Sequence, residues 1–184
     1  MIECAVVTHV ALLRAVNVGG NNKIAMNDLL RFFGDEGFVG ARSLLQSGNI
    51  VFDGGARKGA QLEDHLEART AARFGLRADY LVRTAAEMKE IIARNPFKRE
   101  ATEDPSHLLV LFLKKAVSAA NARALRAVVT GPESARVRGK HVYIVYPEGI
   151  GRSKLTTTRV ETALGTRATG RNWNTVVKLT TLCP

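Results

Sequence analysis

The residues of this chain best suited to chemistry are amides and cations, and they gather in a few short clusters. The first is Leu12-Leu13-Arg14-Ala15-Val16-Asn17-Val18-Gly19-Gly20-Asn21-Asn22-Lys23, an apolar run that ends in a glycine pair, three asparagines and two cations. The second, Gln46-Ser47-Gly48-Asn49, sets amides and a hydroxyl at a turn. Gly151-Arg152-Ser153-Lys154 and Gly170-Arg171-Asn172-Trp173-Asn174-Thr175 each stand before a helical pattern, where helix-end partial charge and basic side chains reinforce one another. Glycine and asparagine at a strand–helix junction can turn backbone N–H groups onto an anion. The common chemistry is recognition of negative charge. Arg14, Lys23, Lys154 and Arg171 would supply the opposite charge, and Asn17, Asn49, Asn172 and Asn174 the orientation.

Each cluster also has a plainer reading. The glycine–asparagine loop matches neither G-x-G-x-x-G nor G-x-x-x-x-G-K-[ST], so Gly19 and Gly20 can simply turn the chain, with Asn21 and Asn22 left-handed. Arg14 and Asn17 end an apolar strand, and a buried guanidinium costs several kcal/mol unless it is paired. Arg14 therefore meets an internal carboxylate or faces a cleft, and the like charge of Lys23 favours the cleft. Gln46, Ser47 and Asn49 can serve the turn alone. Asn172 can be a helix cap and Trp173 core, or the two can flank a polar, stackable recognition edge with Asn174.

The missing groups narrow the chemistry further. His9, His65, His107 and His141 stand apart without H-x-x-x-H spacing, so no metal site is expected. Cys4 and Cys183 read as two free thiols. G-x-S-x-G is missing, and carboxylates are scarce in the polar clusters, which disfavours paired-carboxylate catalysis and a magnesium-dependent nuclease. No catalytic residue, cofactor or oligomeric state is assigned. An enzyme acting on a small anionic metabolite, and a partner-binding module using a sheet or hairpin edge, stand as alternatives to the binding protein.

Charge supports the anionic partner. The chain has 184 residues and a net charge of +10. Residues 1–92 hold eleven Lys/Arg and eleven Asp/Glu, whereas residues 93–184 hold sixteen against six. The whole excess is in the second half, which favours phosphate, nucleotide or nucleic acid, or merely keeps the protein soluble. With 46% apolar residues the chain is an ordinary globular sequence. It has no apolar run near the twenty or so residues of a membrane helix, and no basic stretch before an apolar one at its start. The expectation is a cytoplasmic protein without membrane contact.

These clusters need elements to position them. The pattern predicts a strand over Val6–Val16, a helix capped by Asn27 that runs to Gly37, and strands over Ser43–Gln46 and Asn49–Phe52. A helix over Ala60–Phe74, a strand over Ala78–Arg83 and a helix opened by the capping box Thr84–Glu87 follow. Residues 96–105 read as a linker. The order then recurs: strand His107–Leu113, helix Ser118–Val129, strands Ser134–Arg138 and His141–Tyr146 around Gly139-Lys140, a helix with a capping box at Thr158–Glu161 stopping at Gly165, strand Thr166–Thr169, and a helix after Asn172 carrying Trp173, Val176, Val177 and Leu182. Both halves read β-α-β-β-α-β-α. The predicted fold is α+β, two ferredoxin-like (βαββαβ) halves at 1–95 and 106–184, each with an extra helix. The clusters are expected to line a polar cleft between the halves.

Three of these stretches, Leu12 to Met26, Gln46 to Phe52 and Arg171 to Val176, together resemble the bacterial domain-of-unknown-function family 1697. Ala15 stands where that family usually has glycine and Ala25 where it has proline; neither removes a functional group. The resemblance implies a cytoplasmic protein with two ferredoxin-like halves. It implies no activity and carries over no catalytic residue.

Overall fold

The computed structural model describes residues 7–14, 24–45, 48–55, 57 and 59–183. By internal packing the chain divides into Met1–Lys89 with Leu179–Pro184, and Glu90–Lys178. The first unit is built from β1 (Thr8–Arg14), α1 (Met26–Asp35), β2 (Val39–Ser43), β3 (Asn49–Asp53), α2 (Ala60–Phe74), β4 (Asp79–Thr84) and α3 (Ala85–Ala93), whose last residues pass into the second. The second continues with α4 (Lys98–Glu103), β5 (Leu108–Leu113), α5 (Ala119–Val128), β6 (Ser134–Arg138), β7 (His141–Val145), α6 (Thr157–Leu164), β8 (Ala168–Asn172) and α7 (Trp173–Thr181).

Each unit holds a four-stranded sheet, ordered β2-β3-β1-β4 and β6-β7-β5-β8, with antiparallel pairing throughout. This is the ferredoxin-like arrangement, twice. The first core joins Ala11 and Leu13 of β1, Phe33 of α1, Phe52 of β3, Leu62 and Leu66 of α2 and Tyr80 of β4. Its counterpart joins Leu111, Leu113, Val142 and Ile144 to Leu125 of α5 and Val160 and Leu164 of α6. The alternate positions Val10, Leu12, Val51 and Leu81, and Val110, Phe112 and Tyr143, are buried as well. Burial on both faces explains why β1 and β5 read as continuous apolar runs.

Several boundaries differ from the sequence expectation, each for a local reason. The helix expected to be capped by Asn27 begins two residues earlier, at Met26 after Ala25, without a side-chain cap. The strand expected at Ser43–Gln46 lies earlier, at Val39–Ser43, because the chain turns at Leu45, whose φ is 61°. The 96–105 stretch, expected as a linker, lies within the second unit and carries α4. The box expected at Thr158–Glu161 is not formed. Thr156 caps α6 through the Arg159 N–H, while Glu161 accepts the Ala168 N–H at 2.6 Å. The last strand is Ala168–Asn172, and in α7 Leu179 is buried while Val177 is exposed. The Thr84–Glu87 box does form, with reciprocal bonds of 2.7 and 3.2 Å.

One core polar group sets a pH response. His9 is fully buried, its Nδ1 sits 2.7 Å from the Val7 carbonyl, and its Nε2 meets no partner among the described residues. Burial holds its pKa below the ordinary 6.5, opposed by the Val7 bond and by Glu87 and Asp53. The folded state thus resists a proton that the unfolded state accepts. The associated stability is complete above pH 6.5 and is lost as pH falls through the depressed folded value. Unfolding free energies from urea titrations at about pH 7.5 and about pH 5.5 are expected to differ by up to ~1 kcal/mol more in the native chain than in His9→Leu. Equal differences would remove His9 as the cause.

Candidate anion-binding surface

Arg14 ends β1 opposite Asp79 of β4, and the two form an ion pair at 3.3 Å with the Arg14 side chain about one-third exposed, at 32%. Asn17, Asn21, Asn22, Lys23, Gln46 and Ser47 lie outside the described residues, as does the Gly19-Gly20 turn. Asn49 opens β3, fully buried, and its Nδ2 donates to the Leu44 carbonyl at 2.9 Å, closing the β2–β3 connection. Gly48 beside it has φ +68°, and a Cβ there would come within 2.9 Å of the Leu13 Cβ. Backbone geometry therefore accounts for the glycine of the Gln46–Asn49 cluster.

The remaining predicted residues belong to the second unit. Arg171, on β8, is buried and donates to the Thr169 hydroxyl and the Gly170 carbonyl, both at 2.8 Å; burial lowers its pKa to about 10. Asn172 caps α7 by accepting the Asn174 N–H at 3.0 Å, and it donates to the Ser106 carbonyl at 2.7 Å. Trp173 is buried at the first position of α7, and Asn174 is exposed in its first turn. Ser153 and Lys154 lie on the approach to α6. The Ser153 hydroxyl donates to Glu133 and accepts the Leu155 N–H at 2.9 Å.

Ser153 and Lys154 line a concavity of about 270 Å³ with Arg152, Thr130, Glu133 and Tyr146. Arg152 and Lys154 are exposed, while the Tyr146 hydroxyl donates to the Leu155 carbonyl at 3.0 Å. Burial, then the charge of Glu133, pushes the Tyr146 phenol up to about 12, so it stays protonated and acts as a donor. Glu133 is held by Ser153, but Glu148 also lies at this concavity, so its local charge is mixed.

Next to it, α5 and the edge strand β6 enclose a groove. Its lining includes Leu125 and Arg126 from α5 and Ala135, Arg136, Val137 and Arg138 from β6. Arg136 donates to the Ala135 carbonyl at 3.0 Å and Arg138 to the Val137 carbonyl at 3.1 Å, while the Arg136 guanidinium lies 6.0 Å from the centre of the Phe97 ring. These arginines were not among the residues singled out from the sequence. Their signal was the alternation Arg136-x-Arg138 in a strand, which puts both on one face.

Both units hold paired and unpaired cations: among the described residues Arg57 and Arg77 of the first are exposed without an ion pair, and Arg94 and Arg99 of the second pair with Glu90 and Glu103. In the first, Arg14, Arg69, Arg73 and Arg83 each meet a carboxylate. In the second, Arg126, Arg136, Arg138, Arg152 and Lys154 are exposed, and among the described residues none of them is in an ion pair. Among the described residues no group of acidic, histidine and cysteine side chains could hold a metal, and no helix is long and apolar enough to cross a membrane.

The fold is shared with a conserved bacterial protein from Streptococcus pneumoniae of solved structure. The two align with a TM-score of 0.77 over 98% of this chain and 100% of that one, at 20% sequence identity. At that identity the likeness concerns the fold alone. None of the curated proteins matches the chain. The model of the family described as protein of unknown function (DUF1697) matches residues 6–143, most of both sheets, and the chain belongs to that family.

Proposed function

We propose that this protein binds an anionic ligand, a nucleotide or nucleic acid, through its second unit. The observation that carries the proposal is the set of exposed cations at Arg126, Arg136, Arg138, Arg152 and Lys154, none of them in an ion pair among the described residues, in the half of the chain that holds the whole charge excess. An exposed ion pair contributes little to stability, so leaving these cations without carboxylates sacrifices little in the fold. It does leave a positive field that attracts anions and speeds their arrival. The concavity at Arg152–Lys154 is large enough for a small polar group, and it offers the Thr130 hydroxyl as well as charge.

Titration of a fluorescent oligonucleotide between about 50 and 200 mM salt tests this. With some four or five phosphate contacts on a single strand, the slope of log affinity against log salt is expected near −3. Removing two cations with Arg152→Gln and Lys154→Gln should flatten that slope by about 1.4. A native protein whose weak binding is flat in salt, or which binds neither an oligonucleotide nor a nucleoside triphosphate, would remove the anion reading altogether.

A further inference from the structure

We infer that the groove between α5 and β6 is a track for the backbone of a single-stranded nucleic acid, which would extend the ligand beyond one nucleotide. This inference rests on the anion-binding reading and adds the ligand's polymeric nature and the residues that would follow it. Arg136 and Arg138 are two positions apart on an extended strand, so their backbones are spaced by ~6.6 Å. That spacing suits successive phosphates better than one compact anion. Arg126 approaches from α5 on the other wall.

Each β6 guanidinium gives a bond to its own strand, to the carbonyl of Ala135 or Val137. A guanidinium has five N–H donors in a fixed fork, so the rest of each fork remains for a ligand, and the bond to the strand holds it in place. Between the walls lie Leu125, which is buried, and Ala135 and Val137, half-buried against the core, so the track would hold the strand by charge and not by stacking its bases. Glu133 stands at one end of the groove, and it already accepts the Ser153 hydroxyl.

An acidic peptide would meet the same charge but suits the edge less well. Adding a strand to β6 requires its outward backbone carbonyls, and the arginines already occupy those of Ala135 and Val137. A nucleic acid backbone needs no carbonyl from the protein. A long polyanion lying along β6 would span ~17 Å of strand.

The test compares a nucleoside triphosphate, a dinucleotide and a single-stranded oligonucleotide of about ten nucleotides on the full chain. The native protein should bind the oligonucleotide about ten- to a hundredfold more tightly than the dinucleotide. In the triple variant Arg126→Gln/Arg136→Gln/Arg138→Gln that advantage should vanish and the salt slope should shrink by about 2. The matching triple Arg→Lys variant keeps the charge and should keep most of the slope.

Triphosphate binding with no preference for length, unchanged by the glutamine variant, would overturn the track and leave the anion reading standing. Failure to bind any of the probes would overturn both. Equal loss in the glutamine and lysine variants would show that the arginines serve only to cap the strand edge. Competition by poly-glutamate at equal charge, or concentration-dependent self-association blocked by the glutamine variant, would assign the groove to a peptide or to a second copy and overturn the proposal.

Discussion

Replacing Glu63 with alanine is expected to destabilise the first unit by about 3–5 kcal/mol. Glu63 projects from α2 to the edge of β4 and is almost fully buried, at 4% exposure. Its Oε1 accepts the Val82 N–H at 2.8 Å and lies 3.8 Å from the Arg83 guanidinium. Arg83 in turn donates to the Val82 carbonyl at 2.8 Å, so the side chains of Glu63 and Arg83 satisfy both polar groups of one edge residue. One turn along α2, Glu67 accepts the Tyr80 N–H at 2.9 Å and continues the pattern at the alternate position. Burial lowers the Arg83 pKa, and the charges of Glu87 and then Glu63 oppose that shift. Alanine would remove one of those carboxylates from a buried cation and strip an edge amide of its acceptor, two costs that add. The control is Glu63→Leu/Arg83→Met, which removes both charges together and should recover most of the loss. Urea unfolding reads all three proteins. A Glu63→Ala cost below about 1 kcal/mol would show that solvent replaces the carboxylate and that this edge is not sealed.

The same arrangement marks the limit of what could be read from the sequence. The order of elements was legible because β1, β5 and their partners are apolar runs punctuated by glycine and asparagine, and because the Thr84–Glu87 box is a local signal. Element ends were less legible where the deciding contact is remote. Glu161 reads as half of a capping box by its spacing from Thr158, yet it serves the Ala168 N–H of the next strand. The strand expected to end at Thr169 runs on through Gly170. In the fold this glycine permits close approach to β5, since a Cβ there would lie 3.1 Å from Leu109 and 3.2 Å from Leu111. For the binding surface, the second-half charge excess was legible, and so was the Ser153-Lys154 pair. The cations of the groove were not, because residues in α5 and β6 become neighbours only when the helix packs over the sheet edge. Arginine on an edge strand also carries two meanings at once. At Arg83 it closes a buried edge, and at Arg136 and Arg138 it does so while exposed. Sequence shows the residue type but not the burial that separates the two.

Phe33→Ala should be comparably severe, lowering stability by about 3–5 kcal/mol, and it also tests where binding occurs. Phe33 is fully buried on α1, and its ring centre lies 4.9 Å from that of Phe52, 5.7 Å from those of Phe32 and Phe38, and 6.3 Å from that of Tyr80. Edge-on contact with Phe32 and Phe52 adds ring–ring attraction to the area removed from water. Truncation leaves a cavity walled by aromatic side chains, and rings constrained by α1, β3 and β4 cannot collapse into it cheaply. Phe33→Leu should therefore lose much less, because it keeps most of the volume. The unfolding midpoint in urea distinguishes the two variants. Binding supplies the second readout. Oligonucleotide affinity, measured at low temperature where circular dichroism shows Phe33→Ala still folded, should match the native protein, since the proposed contacts lie in the second unit. A folded Phe33→Ala protein that has lost binding would place an essential part of the ligand site in the first unit, and the assignment to the α5–β6 surface would have to be abandoned.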